Sequence, residues 1–262
     1  IIIVKDYEEM SKRAASVVVN RIRRKPDLVL GQATGSTPVG LYRQLIKAHK
    51  EEGLDFSKVR SFNLDEYCGL SPNHPQSYHY FMYDKLFNHI NIKPENIYIP
   101  KGNVENAEVF CEWYEKKIKE EGGIDLQILG IGRDGHIGFN EPGSSLGSRT
   151  RIKTLTEQTI EDNARFFGDK EKVPRYAITM GLGTISEAKE CLLLASGSNK
   201  AEAIQKCIEG PICAEITASL LQLHPRAIII VDEEAARNLR QKDYYRYTEK
   251  MTEKLEKKKK KW

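Results

Sequence analysis

The stretch Asp125 to Glu141, DLQILGIGRDGHIGFNE, constrains this chain more than any other. Leu126, Ile128, Leu129 and Ile131 make a short apolar run of the kind a buried parallel strand carries. The run breaks into glycines and then delivers Asp134, His136 and Glu141. A strand that sets down an acid, an imidazole and a second acid at its C-terminal end matches where an open α/β sheet places its chemistry. The plainer alternative is a glycine-rich turn with an incidental histidine. Gly130, Gly132 and Gly135 also satisfy the G-x-G-x-x-G pattern of nucleotide-binding turns, which requires a helix to start at once. Here His136 to Gly143 carries two further glycines and Pro142, which no helix tolerates, so a dinucleotide site is rejected.

The rest of the chain repeats the theme of strand, polar turn and helix. Ile1 to Val4 reads as a strand and Tyr7 to Arg24 as an amphipathic helix burying Met10, Ala14, Val17, Val18 and Ile22, ended by Pro26. Leu28 to Leu30 is a second strand. It leads through Thr34, Gly35, Ser36 and Thr37 into a helix that Thr37 is expected to cap, with Pro38 at its first position. Glycine and hydroxyl residues at a helix start make a ready anion site, with ordinary capping as the alternative. Val59 to Asn63 gives a third strand ending in the adjacent acids Asp65 and Glu66. Alternation can send one towards a ligand and the other towards solvent or a structural partner, and on spacing alone a solvated pair is an equal alternative. Ser77 caps an aromatic helix to Phe87 whose Tyr80, Phe81, Tyr83 and Phe87 read as packing. Ile97 to Ile99 is a short strand, and Val104 to Glu121 a helix anchored by Val109, Phe110, Trp113, Tyr114 and Ile118. After the central stretch, Arg149, Arg151 and Lys153 mark either a second anion patch or a water-facing edge strand. A helix near Glu157 to Arg165 follows, then strands at Tyr176 to Met180, Glu190 to Ala195 and Ala227 to Val231. Ser196 to Lys200 opens one more helix, now with a lysine, and a mostly polar helix runs from Glu233 into the tail. The expected fold is α/β: an open, mostly parallel sheet with helices on both faces, a Rossmann-like three-layer sandwich. In such a sheet the loops at Thr34 to Thr37, Asp65, Asp134 to Glu141 and Ser196 to Lys200 share one edge.

With no repeat, linker or composition shift, residues 1–256 are expected to be a single catalytic domain and 257–262 a disordered lysine-rich tail. The net charge of +4 rests on that tail. Without Lys257 to Lys261 the chain carries 36 basic against 37 acidic side chains, too balanced for a nucleic-acid face. No apolar run approaches the roughly 18 residues of a membrane span, and no signal peptide is visible. Five scattered cysteines without a C-x-x-C pair suit free thiols in a reducing cytoplasm. The start at Ile1 suggests that residues preceding it have been lost.

Five segments in order, ATGSTP at 33–38, FNLDEY at 62–67, GRDGHIGFNEP at 132–142, SRTRIKTLT at 148–156 and LQLHP at 221–225, resemble the glucosamine-6-phosphate deaminase family. The likeness runs from Leu28 to about Tyr247. The related phosphogluconolactonases share the fold but continue after the Gly-His pair towards a Ser-Leu-Phe-Pro run, where this chain has Ile137-Gly-Phe-Asn-Glu141-Pro142. The resemblance implies conversion of glucosamine 6-phosphate and water to fructose 6-phosphate and ammonia, with no redox cofactor and no metal. By resemblance Asp65 is the base acting between C2 and C1. His136, oriented by Asp134 and Glu141, opens the sugar ring, and Glu66 is given no chemistry. The phosphate is expected against Thr34, Gly35, Ser36 and Thr37, with Lys200 and, by resemblance alone, Arg165. His74 and His224 read as structural. Some family members are hexamers activated by N-acetylglucosamine 6-phosphate. The matching residues are Ser144, Arg151, Lys153, Thr154 and Tyr247, so a homo-oligomer with such an activator is expected. The alternatives are a sugar-phosphate lactonase and a non-catalytic sugar-phosphate sensor.

Overall fold

The computed structural model describes residues 1–259. Strands β1 (Ile2–Val4), β2 (Val29–Gln32), β3 (Arg60–Asn63), β5 (Ile97–Tyr98), β6 (Leu126–Leu129), β9 (Cys191–Ala195) and β10 (Ala227–Asp232) form one sheet in the order β1-β10-β9-β6-β2-β3-β5. Every neighbouring pair in it is parallel. Helices α1 (Tyr7–Arg24), α2 (Val39–Glu52), α3 (Tyr78–Lys85), α4 (Ala107–Glu120), α5 (Glu157–Phe167), α6 (Leu182–Ser186), α7 (Ala201–Glu209) and α8 (Lys242–Lys259) surround it. Chain order runs outward from β2 to β3 and β5 on one side. It runs from β6 to β9 and β10 on the other, so the topology reverses between β2 and β6. There the loops after adjacent parallel strands diverge and leave a crevice.

The expected sandwich is present, with one addition. A three-stranded antiparallel sheet, β4 (Asp65–Tyr67), β8 (Tyr176–Thr179) and β7 (Arg151–Thr154), stands beside the main one. The chain leaves the large sheet at Leu64, whose N–H donates to Gln32 while its carbonyl accepts from Met180. Tyr67, Phe139, Leu155, Ile160, Val173 and Ala177 form its own small core. Tyr176 to Met180, read as one more strand of the parallel sheet, belongs here instead. An apolar run shows burial but not the direction of its neighbour.

Other expectations need correction. The N-cap position of α2 is Pro38 rather than Thr37, with no side-chain cap. Instead the Gly40 N–H donates 2.7 Å to the Tyr7 hydroxyl, supplied by α1. On α4 the buried face is Phe110, Cys111, Tyr114 and Ile118, while Val109 and Trp113 are exposed. Val17 on α1 is only partly buried. The last helix begins at Lys242, not Glu233, because the carboxylate of Glu209 accepts from the Arg240 and Gln241 N–H groups and fixes its start. That helix then passes residue 256 and continues to Lys259. Lysine is a good helix former, and positive charge suits a helix C-terminus. The remainder of the expected tail, 260–262, lies outside the described residues. Among the described residues no helix is long and apolar enough to cross a membrane.

Candidate active site

Four loops meet at the C-terminal ends of the four central strands, β9, β6, β2 and β3, and line one cleft. From β2 come Thr34, Gly35, Ser36 and Thr37; from β3, by way of Leu64, comes Asp65. The loop after β6 supplies Gly132, Arg133, His136 and Gly138, and the turn after β9 supplies Asn199 and Lys200. Arg165, on the last turn of α5, closes the wall with Asp162, Asn163 and Phe166.

Asp65 and Glu66 diverge as strand alternation requires. Glu66 turns away and accepts three backbone N–H bonds of 2.9 Å, one from Tyr67 and two from Tyr78 and His79 at the start of α3. Asp65 is 5% exposed and its carboxyl has no hydrogen-bond partner among the described residues. Burial, reinforced by the neighbouring Glu66 charge and partly offset by His136, pushes it up to about 8. A buried carboxyl facing a cleft without a partner is destabilising and has the profile of a catalytic base.

His136 is organised by its own loop. Its carbonyl accepts from the Gly132 N–H at 2.8 Å, closing a turn around Asp134. The ring Nδ1 lies 2.7 Å from Asp134 Oδ1 and 3.3 Å from Glu141 Oε2. Neither oxygen lies on the ring N–H axis, so these are close ionic contacts rather than aligned hydrogen bonds. Burial disfavours the imidazolium, but the two carboxylates outweigh it and raise the group to about 9. Burial opposes ionisation of Asp134, and the imidazolium reverses that and holds it below its ordinary value. Glu141 is held by the Thr156 N–H at 3.1 Å. Gly138 has φ +59°, and a Cβ there would sit 3.0 Å from Thr179 Oγ1 and 3.5 Å from Asp65 Oδ2. This loop therefore needs glycine both for its backbone and for access to Asp65.

The opposite end of the cleft is cationic. Burial lowers the Lys200 amine, with Asp162 and Asp134 acting against it. Arg133 pairs with Asp162 at 3.1 Å, and the Arg165 guanidinium lies over the Phe166 ring at 4.7 Å. Hydroxyls, the α2 start, a lysine and an arginine on one wall make a site for an anionic group.

All ten residues expected at the catalytic and phosphate positions are close to this cleft. Asp134 and Glu141 stand behind His136 rather than on the wall. Sequence reading missed Tyr78, Arg133, Thr159, Asp162, Asn199 and Phe166, which also line it. Arg133, Asn199 and Phe166 had a signal, their place beside the expected site residues Asp134, Lys200 and Arg165. Tyr78 stacks on Phe139 with centroids 5.9 Å apart. His74 and His224 engage backbone groups only, apart from a stacking contact of His74 on Phe167.

The five expected regulatory residues do not assemble within one chain. Ser144 is buried and donates 2.6 Å to the Glu141 carbonyl. Arg151 donates 2.8 Å to Asn140 Oδ1 and lines a second cleft between α4 and β7. Lys153 and Thr154 follow on that edge strand, and Tyr247 is exposed on α8, whose main sheet contact is β1.

Comparison with known proteins places this geometry. A family model described as glucosamine-6-phosphate isomerases/6-phosphogluconolactonase matches residues 5–230. A glucosamine-6-phosphate deaminase of Thermoanaerobacter pseudethanolicus is 58% identical over 236 residues, covering 90% of this chain and 93% of the relative. A solved monomeric glucosamine-6-phosphate deaminase superposes with a TM-score of 0.89 at 48% identity, covering 91% of this chain and all of its own. A 6-phosphogluconolactonase from Trypanosoma brucei reaches a TM-score of 0.72 at 20% identity over 90% of this chain and 97% of its own, a likeness of fold alone.

Proposed function

The chain belongs to the family of glucosamine-6-phosphate isomerases and 6-phosphogluconolactonases, and from that premise we propose that it works as a deaminase. It is an enzyme of amino-sugar metabolism that converts glucosamine 6-phosphate and water to fructose 6-phosphate and ammonia. The observation that carries the reading is Asp65, a buried carboxyl without a partner, sharing a cleft with an imidazolium and a cationic wall. In this reading the substrate phosphate lies against Thr34 to Thr37, Lys200 and Arg165. His136, charged and held by Asp134 and Glu141, gives a proton to the ring oxygen and, once neutral, takes the proton of the O1 hydroxyl, which opens the ring. Asp65 then takes the C2 proton and returns it at C1. The resulting imine at C2 adds water and expels ammonia, leaving the ketose. The catalytic unit is the single domain 1–256, and five free cysteines suit a reducing cytoplasm.

Regulation belongs to the same proposal. Arg151 reaches the active loop through Asn140, which also donates to the carbonyls of Ile137 and Met180. An activator phosphate, as in N-acetylglucosamine 6-phosphate, held by Arg151 and Lys153 would pull on that loop. Ser144, Thr154 and Tyr247 complete the site only if a second copy brings Tyr247 near, which fits a homo-oligomer, a hexamer by resemblance.

The test is ammonia release from glucosamine 6-phosphate by the purified protein, beside Asp65→Asn and His136→Gln. The parent should release ammonia, and each variant should lose at least about a hundredfold of the rate, the lower range for acid–base groups. No ammonia with or without N-acetylglucosamine 6-phosphate, together with hydrolysis of 6-phosphogluconolactone, would replace the reading by the lactonase. Binding of the sugar phosphate with neither activity would replace it by a sensor.

A further inference from the structure

Beyond the proton chemistry, the loop after β6 gathers three groups that are also metal ligands. One donor atom each from Asp134, His136 and Glu141 lies within 4.8 Å of the others. Two of these atoms are buried and have no aligned hydrogen bond, His136 Nδ1 and Glu141 Oε2. Glu141 is 2% exposed, and its free oxygen is aimed at the ring nitrogen at 3.3 Å. Because neither carboxylate lies on the axis of that nitrogen, an ion on the axis would meet both from the side.

We propose that Asp134, His136 and Glu141 form an inhibitory site for a borderline divalent cation of the zinc or cobalt class. One imidazole and two carboxylates suit that class, and a water would complete the shell. The ligands are already ordered by second contacts. Glu141 Oε1 is held by the Thr156 N–H, Asp134 Oδ1 by the His136 N–H at 3.2 Å, and the loop by the Gly132 to His136 bond. The Asp134–Nδ1 separation of 2.7 Å must open by about half an ångström to admit an ion at zinc-like bond lengths, a small adjustment for an acid that is not fully buried. An ion so placed takes the position of the Nδ1 proton and withdraws both carboxylates, so the doubly protonated imidazolium that serves as the acid in ring opening cannot form.

The test is a titration of metal-free, full-length protein with cobalt chloride, read by visible absorption. Ammonia release from the same samples is followed in parallel. The expected result is a d–d band whose growth tracks loss of turnover, with both reversed by a chelator. In His136→Gln and Glu141→Gln, with native far-UV circular dichroism, cobalt affinity should fall more than about tenfold, since even outer-shell changes cost that much. An intense near-ultraviolet thiolate band would assign the ion to a cysteine and overturn the proposal. So would affinity unchanged in both variants, or a saturated band with full activity. The inhibition arm rests on the deaminase reading, but the absorption arm does not. A protein that binds cobalt at these residues yet never makes ammonia would sink the reading and leave the site standing.

Discussion

At the scale of single residues, two opposed groups carry the proposed chemistry. Asp65, raised to about 8, must be ionised to act as a base, and His136, raised to about 9, must be protonated to act as an acid. The kcat/KM profile should therefore be a narrow bell, rising near pH 8 and falling near pH 9, with limbs that belong to the coupled site. Isotherms of rate against pH that stay flat from 6 to 10 would contradict this. The same shifts make stability predictions. A folded pKa above the unfolded one gives stability that is complete below the unfolded value and lost as pH rises through the folded value. For Asp65 that loss runs from about pH 4 to pH 8. Asp65→Asn avoids it, so the inactive variant should melt roughly 3–6 °C above the parent at pH 8 and no higher than the parent near pH 4. For His136 the loss runs from about pH 6.5 to pH 9. The decline of the melting temperature over that range should flatten in His136→Gln, measured by calorimetry.

At the scale of elements, the acids, the histidine and the glycines were legible because they sit next to strand ends. A strand end at the C-terminal edge of a parallel sheet is where side chains reach ligand. The role of Glu66 was legible only in outline. Alternation separates it from Asp65, but the α3 start whose N–H groups it accepts begins at Tyr78 and is brought to it by folding. Glu66→Gln keeps the shape and replaces one acceptor by a donor facing an N–H. It should cost about 1–3 kcal/mol and lower the melting temperature by several degrees. Tyr78 lines the cleft from that helix, so KM should rise as well. An unchanged melting curve would show that the three bonds are not made in solution. The cleft residues on α5 were illegible to periodicity and spacing for the same reason, Arg165 being expected by resemblance alone: a helical arginine reads as solvated surface until the helix is docked.

At the scale of the whole molecule, Val109 and Trp113 are exposed on α4, and Ile152 is exposed on the adjoining β7, where it lines the cleft that holds Arg151. Large apolar side chains left exposed on two adjoining elements suit an interface. Sedimentation velocity should show an oligomer that Trp113→Glu shifts towards smaller species, with ammonia release retained. A parent that sediments as a single copy at micromolar concentration would remove that interface and with it the shared regulatory site. The sequence by itself determined the layered parallel architecture and the strand-end loops that line the cleft. Periodicity and glycine placement act over a few residues and need no knowledge of partners. Only the tertiary structure decided that β4, β7 and β8 pair in a separate antiparallel sheet, that Glu209 sets where α8 begins, and that Asp65 lies buried with no hydrogen-bond partner among the described residues, in one cleft with His136. Those facts depend on groups far apart in the chain, and neither a pairing direction nor a burial cost exists until both sides of the contact are in place.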